Sequence, residues 1–233
     1  YRITSETEGT CEVSGIEKGF EGPVYVPSSA EIGGRTYRVT AIGKDAFLYR
    51  HFSHFYLSEG IETLKARCCI GIGVTQEVVL PDSLTTIDEL AFQGREITKL
   101  VLGSGLRTVV DSAFYTAKIG QVICHGEKSS YWSNVTVEGD NTALTDATKS
   151  YVATYPVQFC GFPLLDPVTE IASVTVNGTV LSATGGRYFA EVRDGLVRGV
   201  VVRNQSGEDI TDKQIEIRVH LLPTGLRADT AYT

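Results

Sequence analysis

His51 and His54 form an H-x-x-H pair, a spacing that could hold a metal if a third ligand joined it. No third ligand is evident nearby, and the pair reads as ordinary surface or strand-edge histidines. Glu138 with Asp140, and Glu208 with Asp209 and Asp212, could hold calcium. Neither group follows an ordered D-x-D-x-D pattern, so both read as solvated turns. Cysteines stand at positions 11, 68, 69, 124 and 160, an odd count without C-x-x-C. Cys68 and Cys69 are chain neighbours, a poor geometry for pairing with each other. The cysteines therefore read as small buried apolar residues. G-x-S-x-G, H-E-x-x-H and G-x-x-x-x-G-K-[ST] are all missing. The "GIGVTQ" stretch lacks a third glycine and a following helix, and reads as a turn. The expectation is a non-catalytic chain with no catalytic residue, metal or cofactor. Asn134, Asn177 and Asn204 sit in N-x-[ST], which matters only in a eukaryotic secretory pathway.

The chain has 233 residues, enough for one large domain or two small ones. Apolar residues make up 42%, so a core can form, and the net charge is −7 with no run of Lys or Arg. Nucleic acid and anionic membrane both demand clustered positive charge and are disfavoured as partners. No apolar stretch is long enough to span a bilayer as a helix. The chain begins at Tyr1 with no visible signal peptide, and reads as a mature or trimmed product.

A repeat organises the first half. The apolar positions Ile42, Leu64, Ile87 and Val109 recur at gaps of 22, 23 and 22 residues. Five residues after each comes Phe47, Cys69, Phe92 or Phe114, preceded by Ala46, Cys68, Ala91 or Ala113. A short apolar pattern follows: Phe55-Tyr56-Leu57, Val78-Val79-Leu80, Leu100-Val101-Leu102 and Val122-Ile123-Cys124. One such coil cannot bury its own apolar face, but stacked coils can. Alternation along a strand points the outer members of each triplet inward and Tyr56, Val79, Val101 and Ile123 outward. Coil two breaks the pattern with Cys68-Cys69 where the others have Ala-Phe. The missing ring predicts a hole costing about 3 kcal/mol unless filled, and Ile70 or Ile72 is the expected filler.

Ile42-Gly43-x-x-Ala46-Phe47 and "VVLPDSLTTIDELAF" resemble the BspA-like leucine-rich-repeat proteins, as does the opening "GPVYVPSSAEIGGRTYRVTAIGKDAF". The likeness covers residues 1 to about 127. It departs in coil two and at Arg50, Arg95 and Ala117, near where the family often has Cys. The resemblance implies a right-handed leucine-rich-repeat solenoid, exported or surface-attached in bacteria, notably the Bacteroides group. It also implies adhesion, with an extracellular or host protein or a glycan as partner.

The expected organisation is an N-terminal cap at 1–37 and four coils at 38–127. A C-terminal cap at 128–165 and a small antiparallel β domain at 166–233 follow. Tyr131 and Trp132 are placed to cover the last coil. Asn177-Gly178 between "IASVTV" and "TVLSA" is a hairpin signal, and the tail after Pro223 is expected to be loose. Four apolar residues in register (Tyr56, Val79, Val101, Ile123), flanked by His54, Glu77, Lys99 and Gln121, make a stripe on the outer strand face. Such a stripe is a candidate ligand-binding surface, or it is covered by another element of a structural or spacer protein.

Overall fold

The computed structural model describes residues 1–152 except 19 and 21. Beyond these it describes 159–176, 178–181, 188–193, 196–203, 215–221 and 229–232. The chain divides into two compact units, Tyr1–Phe20 with Val24–Thr154, and Glu21–Pro23 with Tyr155–Thr233.

The first unit is a strand solenoid. Its N-terminal strands are β1 (Arg2–Ser5), β2 (Thr10–Val13), β3 (Pro23–Val26), β4 (Ser29–Ile32) and β5 (Arg35–Ile42). The coils continue through β6 (His54–Leu57), β7 (Thr63–Leu64), β8 (Val74–Val79), β9 (Thr86–Ile87), β10 (Glu96–Leu102), β11 (Thr108–Val109) and β12 (Lys118–His125). After Trp132–Asn134, a single 3-10 turn, come β13 (Thr136–Val137), the one-turn helix α1 (Thr142–Thr145) and β14 (Thr148–Val152). One sheet runs β1-β2-β5-β7-β9-β11-β13, with β4 on β5; the other runs β14-β12-β10-β8-β6-β3.

The repeat gaps become strand register. Thr63, Thr86, Thr108 and Thr136 stack as parallel partners, and Phe55, Val78, Leu100 and Val122 do the same on the other side. The sequence predicts four coils. The structure adds rungs at both ends, because β2 pairs parallel with β5 and β13 with β11. The segments read as caps thus continue the stack, as an open sheet edge requires.

Between the sheets each coil turns a corner through successive tight turns. In coil one Ala46 N–H donates to Gly43 O, Leu48 N–H to Asp45 O, and Arg50 N–H to Phe47 O. The turns place Asp45, Arg67, Leu90 and Ser112 at φ between 57° and 61°, costing about 1 kcal/mol or more apiece. Hydrogen bonds between coils hold them there. Phe47 N–H donates to Cys68 O at 2.7 Å, Cys69 N–H to Ala91 O at 2.8 Å, and Phe92 N–H to Ala113 O at 2.8 Å. The small Ala or Cys beside the ring column lets these backbones approach. Phe47, Phe92 and Phe114 are buried in one core, the last two stacked with centroids 5.3 Å apart.

Of the two isoleucines expected to fill coil two, Ile72 is exposed, while Ile70 is buried, though outside the core cluster. Phe52 and Arg95 pack together beside this coil. Phe52 packs on Phe55 and Phe47 at 5.1 and 5.9 Å, and the Arg95 guanidinium lies 4.2 Å above the Phe52 ring. Tyr131 and Trp132 do cover the last coil. Tyr131 is buried with its hydroxyl donating to Gly103 O at 2.8 Å, and the Trp132 indole donates to the Tyr151 hydroxyl at 3.0 Å.

The second unit is one antiparallel sheet of β15 (Phe159–Val176), β16 (Thr179–Val180), β17 (Tyr188–Arg193), β18 (Leu196–Arg203), β19 (Ile215–Leu221) and β20 (Asp229–Tyr232). Its order is β17-β18-β15-β19-β20, with β16 paired to β15. Residues 159–165 belong to the long strand β15 and so to this unit, ahead of the expected boundary at 166. Val176 pairs with Thr179 across the predicted turn, in which Gly178 has φ 77°; Asn177 lies outside the described residues. The tail expected to be loose returns as β20, paired with β19 from Ile217 to His220.

Candidate functional site

The predicted surface column lies where its spacing places it. His54, Glu77, Lys99 and Gln121 form one parallel row, and Tyr56, Val79, Val101 and Ile123 form another two residues on. The apolar row is not an exposed patch. Tyr56 and Val79 are 0% exposed and Val101 is 2% exposed, although none belongs to the core cluster between the sheets; Ile123 is half-buried. Periodicity gives a side chain's direction along a strand, but not what lies over that face.

The polar row is a linked set. Glu77 is buried, accepts from the Tyr56 hydroxyl at 3.1 Å, and pairs with the Lys99 ammonium. The His54 ring lies 5.6 Å from that of Tyr56, with Nδ1 3.0 Å from Ser53 Oγ. Gln121 is exposed and reaches Ser150 Oγ on β14 at 3.5 Å. The row thus carries one cation held by a buried acid, one half-buried imidazole and one exposed amide. Such groups can recognise a polar surface by hydrogen bond and charge.

The other chemistry-bearing residues fall elsewhere. His51 is exposed. Among the described residues no three His, Cys, Asp or Glu gather at metal-binding range. Asp140 serves a turn, its N–H donating to Asp111 Oδ1 at 2.7 Å and its Oδ1 accepting from Thr142 Oγ1 at 3.1 Å. Glu208, Asp209 and Asp212 lie outside the described residues. Cys11, Cys68, Cys69 and Cys124 are buried free thiols. Burial pushes Cys68 well above the usual thiol range and Cys124 up to about 12, so both stay protonated and unreactive near neutrality.

Three polar residues that sequence reading passed over are central to the architecture. Arg95, 1% exposed, donates from Nε to Cys69 O at 3.0 Å and from Nη2 to Arg50 O at 2.9 Å. It therefore spans coil two and bonds coil one. Glu12, fully buried, takes Lys65 Nζ at 2.6 Å and the Arg2 guanidinium, so Lys65 spans coil one. Burial drives the Glu12 carboxyl up, but its bonds to Lys65 and Arg2 outweigh that and leave it below the ordinary range. Asn141 closes the far end. Its Oδ1 accepts from Phe114 N–H at 3.0 Å, where earlier coils use a carbonyl of the next coil. Arg95 had a signal, since it stands near a Cys position of the resembled family. Glu12 and Asn141 break no periodic column and gave none.

A family described as the BspA type leucine rich repeat region matches residues 36–136 in six copies. No curated protein matches the chain. Among solved structures, that of the pneumococcal vaccine antigen PcpA is similar at 16% identity over 50% of this chain, with a TM-score of 0.29. The matched part spans 44% of the PcpA chain. No helix among the described residues is long and apolar enough to cross a membrane. The column spacing, the parallel register of the rungs and the family match agree, and residues 36–136 of this chain are a leucine-rich repeat region of the BspA type.

Proposed function

We propose that this chain is a non-catalytic, exported or cell-surface binding protein whose solenoid holds a protein or glycan partner, as in adhesion. The observation that carries the reading is the polar row fixed to a rigid strand face: His54, Lys99 and Gln121, with Ile123 beside them. A stacked solenoid presents such groups at fixed spacing and binds large partners by distributed contacts, without a reactive pocket. Within the wider set, Tyr56, Val79 and Val101 are buried beside the row and Glu77 is buried within it, so they support the row rather than meet a partner. The BspA-type match is in keeping with a surface location.

A second reading has its own observation. Tyr56, Val79 and Val101 are buried outside the main core, which favours the stripe serving the chain's own packing in a structural spacer. An array of extracellular-matrix proteins and glycans, probed with wild type and with Gln121→Ala/Ile123→Asp, separates the two. The binding reading expects a specific partner and at least a tenfold loss in the variant at unchanged melting temperature. The spacer reading expects no partner that the variant fails to bind.

A further inference from the structure

The stack of coils is incomplete at one place, and the gap has a defined hydrogen-bonding pattern. At the corner between coils three and four, Gly94 N–H donates to Tyr115 O at 3.0 Å, and Lys118 N–H donates to Arg95 O at 2.9 Å. The same positions one coil on are Thr116, Ala117 and Ile119. The Lys118 N–H points back toward coil three, so the Ala117 carbonyl in the same trans peptide points forward, away from it. Alternation along the strand then turns the Ile119 N–H forward as well. The last coil does not meet these groups. It replaces the corner with Asn141 and the one-turn helix α1, and β14 pairs with β12 only from Gln121 onward. Among the described residues no hydrogen bond closes on Thr116 N–H, Ala117 O or Ile119 N–H from that side.

The unmatched edge forms the wall of a groove of about 450 Å³. Thr116, Ala117, Lys118 and Ile119 line one side, and Thr142, Ala143, Asp146 and Ala147 the other. The small Ala143 and Ala147 leave the edge accessible. The exposed Lys118 and Asp146 stand on opposite walls. We infer that this groove binds an extended peptide segment of a partner protein as one further rung of the sheet.

A single guest residue would give its N–H to Ala117 O and accept from Ile119 N–H, as Lys118 does on coil three. The guest carbonyl preceding it would accept from Thr116 N–H. Recognition through main-chain groups tolerates many sequences and leaves selectivity to flanking side chains. Asp146 selects for a basic residue on its side of the guest. The groove is small, so the contact is a short, sequence-tolerant clamp, separate from the outer strand face and independent of the adhesion reading.

The test uses a phage-displayed library of random nine-residue peptides, selected on the full chain. The expected result is enrichment of peptides with a basic residue, binding Ile119→Pro at least tenfold more weakly. Proline removes one of the two forward-facing donors, the one within the strand, and an outward N–H is where a strand tolerates it. Asp146→Lys should remove the basic preference while the melting temperature holds. Should Ile119→Pro fail to fold, amide exchange on wild type decides: the Thr116 and Ile119 amides exchange quickly in the free chain and slow at least tenfold with peptide. Failure to enrich any peptide over a control protein overturns the inference. So does a peptide that leaves both amides unprotected, or one that binds Ile119→Pro equally well.

Discussion

Two long basic side chains do similar work at different places in the stack. Lys65 reaches across coil one to Glu12, and Arg95 reaches past Gly71 to Arg50 O, so each ties together coils that are not neighbours. Glycines leave room for Arg95 and for Glu12. A Cβ on Gly71 would stand 2.5 Å from Arg95 Nη2, and one on Gly43 3.0 Å from Glu12 Oε1. Arg95 is hydrogen-bonded to carbonyls and a hydroxyl, and burial lowers its pKa from the usual arginine range. Truncation to alanine removes this buried side chain from the Phe52 ring and leaves a cavity, and is expected to cost about 3 kcal/mol, read from urea unfolding. Arg95→Met keeps the stem on Phe52 and removes the buried charge, so it should cost clearly less. Glu12 gives a pH prediction. Its folded carboxyl titrates below the unfolded value of about 4.5. It therefore adds stability above that pH and loses it as acid drives the pH down through the folded value. A melting series from pH 7 to pH 3 should fall more steeply for wild type than for Glu12→Gln.

The elements act by handing bonds from coil to coil. At the strand exits, Glu59 accepts from Asp82 N–H and Ser83 N–H at 2.9 and 3.0 Å, and Asp82 accepts from Ser104 N–H at 2.7 Å. The backbones there are close enough that a Cβ on Gly103 would meet Pro81 O at 2.1 Å, so Gly103→Ala forces adjacent coils apart. The series ends at Asn141, whose amide satisfies Phe114 N–H, Val110 O and Glu138 O. Asn141→Ala would strand the Phe114 N–H and take from Val110 O one of its two bonds, a loss of about 3 kcal/mol. Melting should drop by about 6–10 °C, with amide exchange rising first at Phe114. Hydrophobic columns recurring at 22 or 23 residues made the coils legible in the sequence, because every coil must repeat the same burial. The ends were less so. A terminal rung has one neighbour, and its polar closures, Glu12 and Asn141, occur once each. The strand face was legible as a line and illegible as a surface, since Tyr56 and Val101 report only which way they point.

At the scale of the molecule, the chain joins a stack of mostly parallel strands to an antiparallel sheet. The stack grows by repetition, so its stability is a sum over neighbouring coils, and damage at one coil spreads to the next. Coil two is the weakest link by sequence and is bridged in the structure by Arg95 and the Asp45–Arg67 pair. The proposed binding roles rest on this rigidity, because a row such as His54, Lys99 and Gln121 keeps its spacing only while the rungs hold register. The most direct measurement is therefore a set of NOEs between selectively labelled phenylalanine rings. Stacked coils predict strong cross-peaks between Phe92 and Phe114, whose centroids are 5.3 Å apart, and between Phe47 and both Phe52 and Phe55. They predict none between Phe47 and Phe114, which lie three rungs apart at about 4.8 Å per rung. Absence of the Phe92–Phe114 cross-peak in the folded chain would contradict the stack and the functions drawn from it.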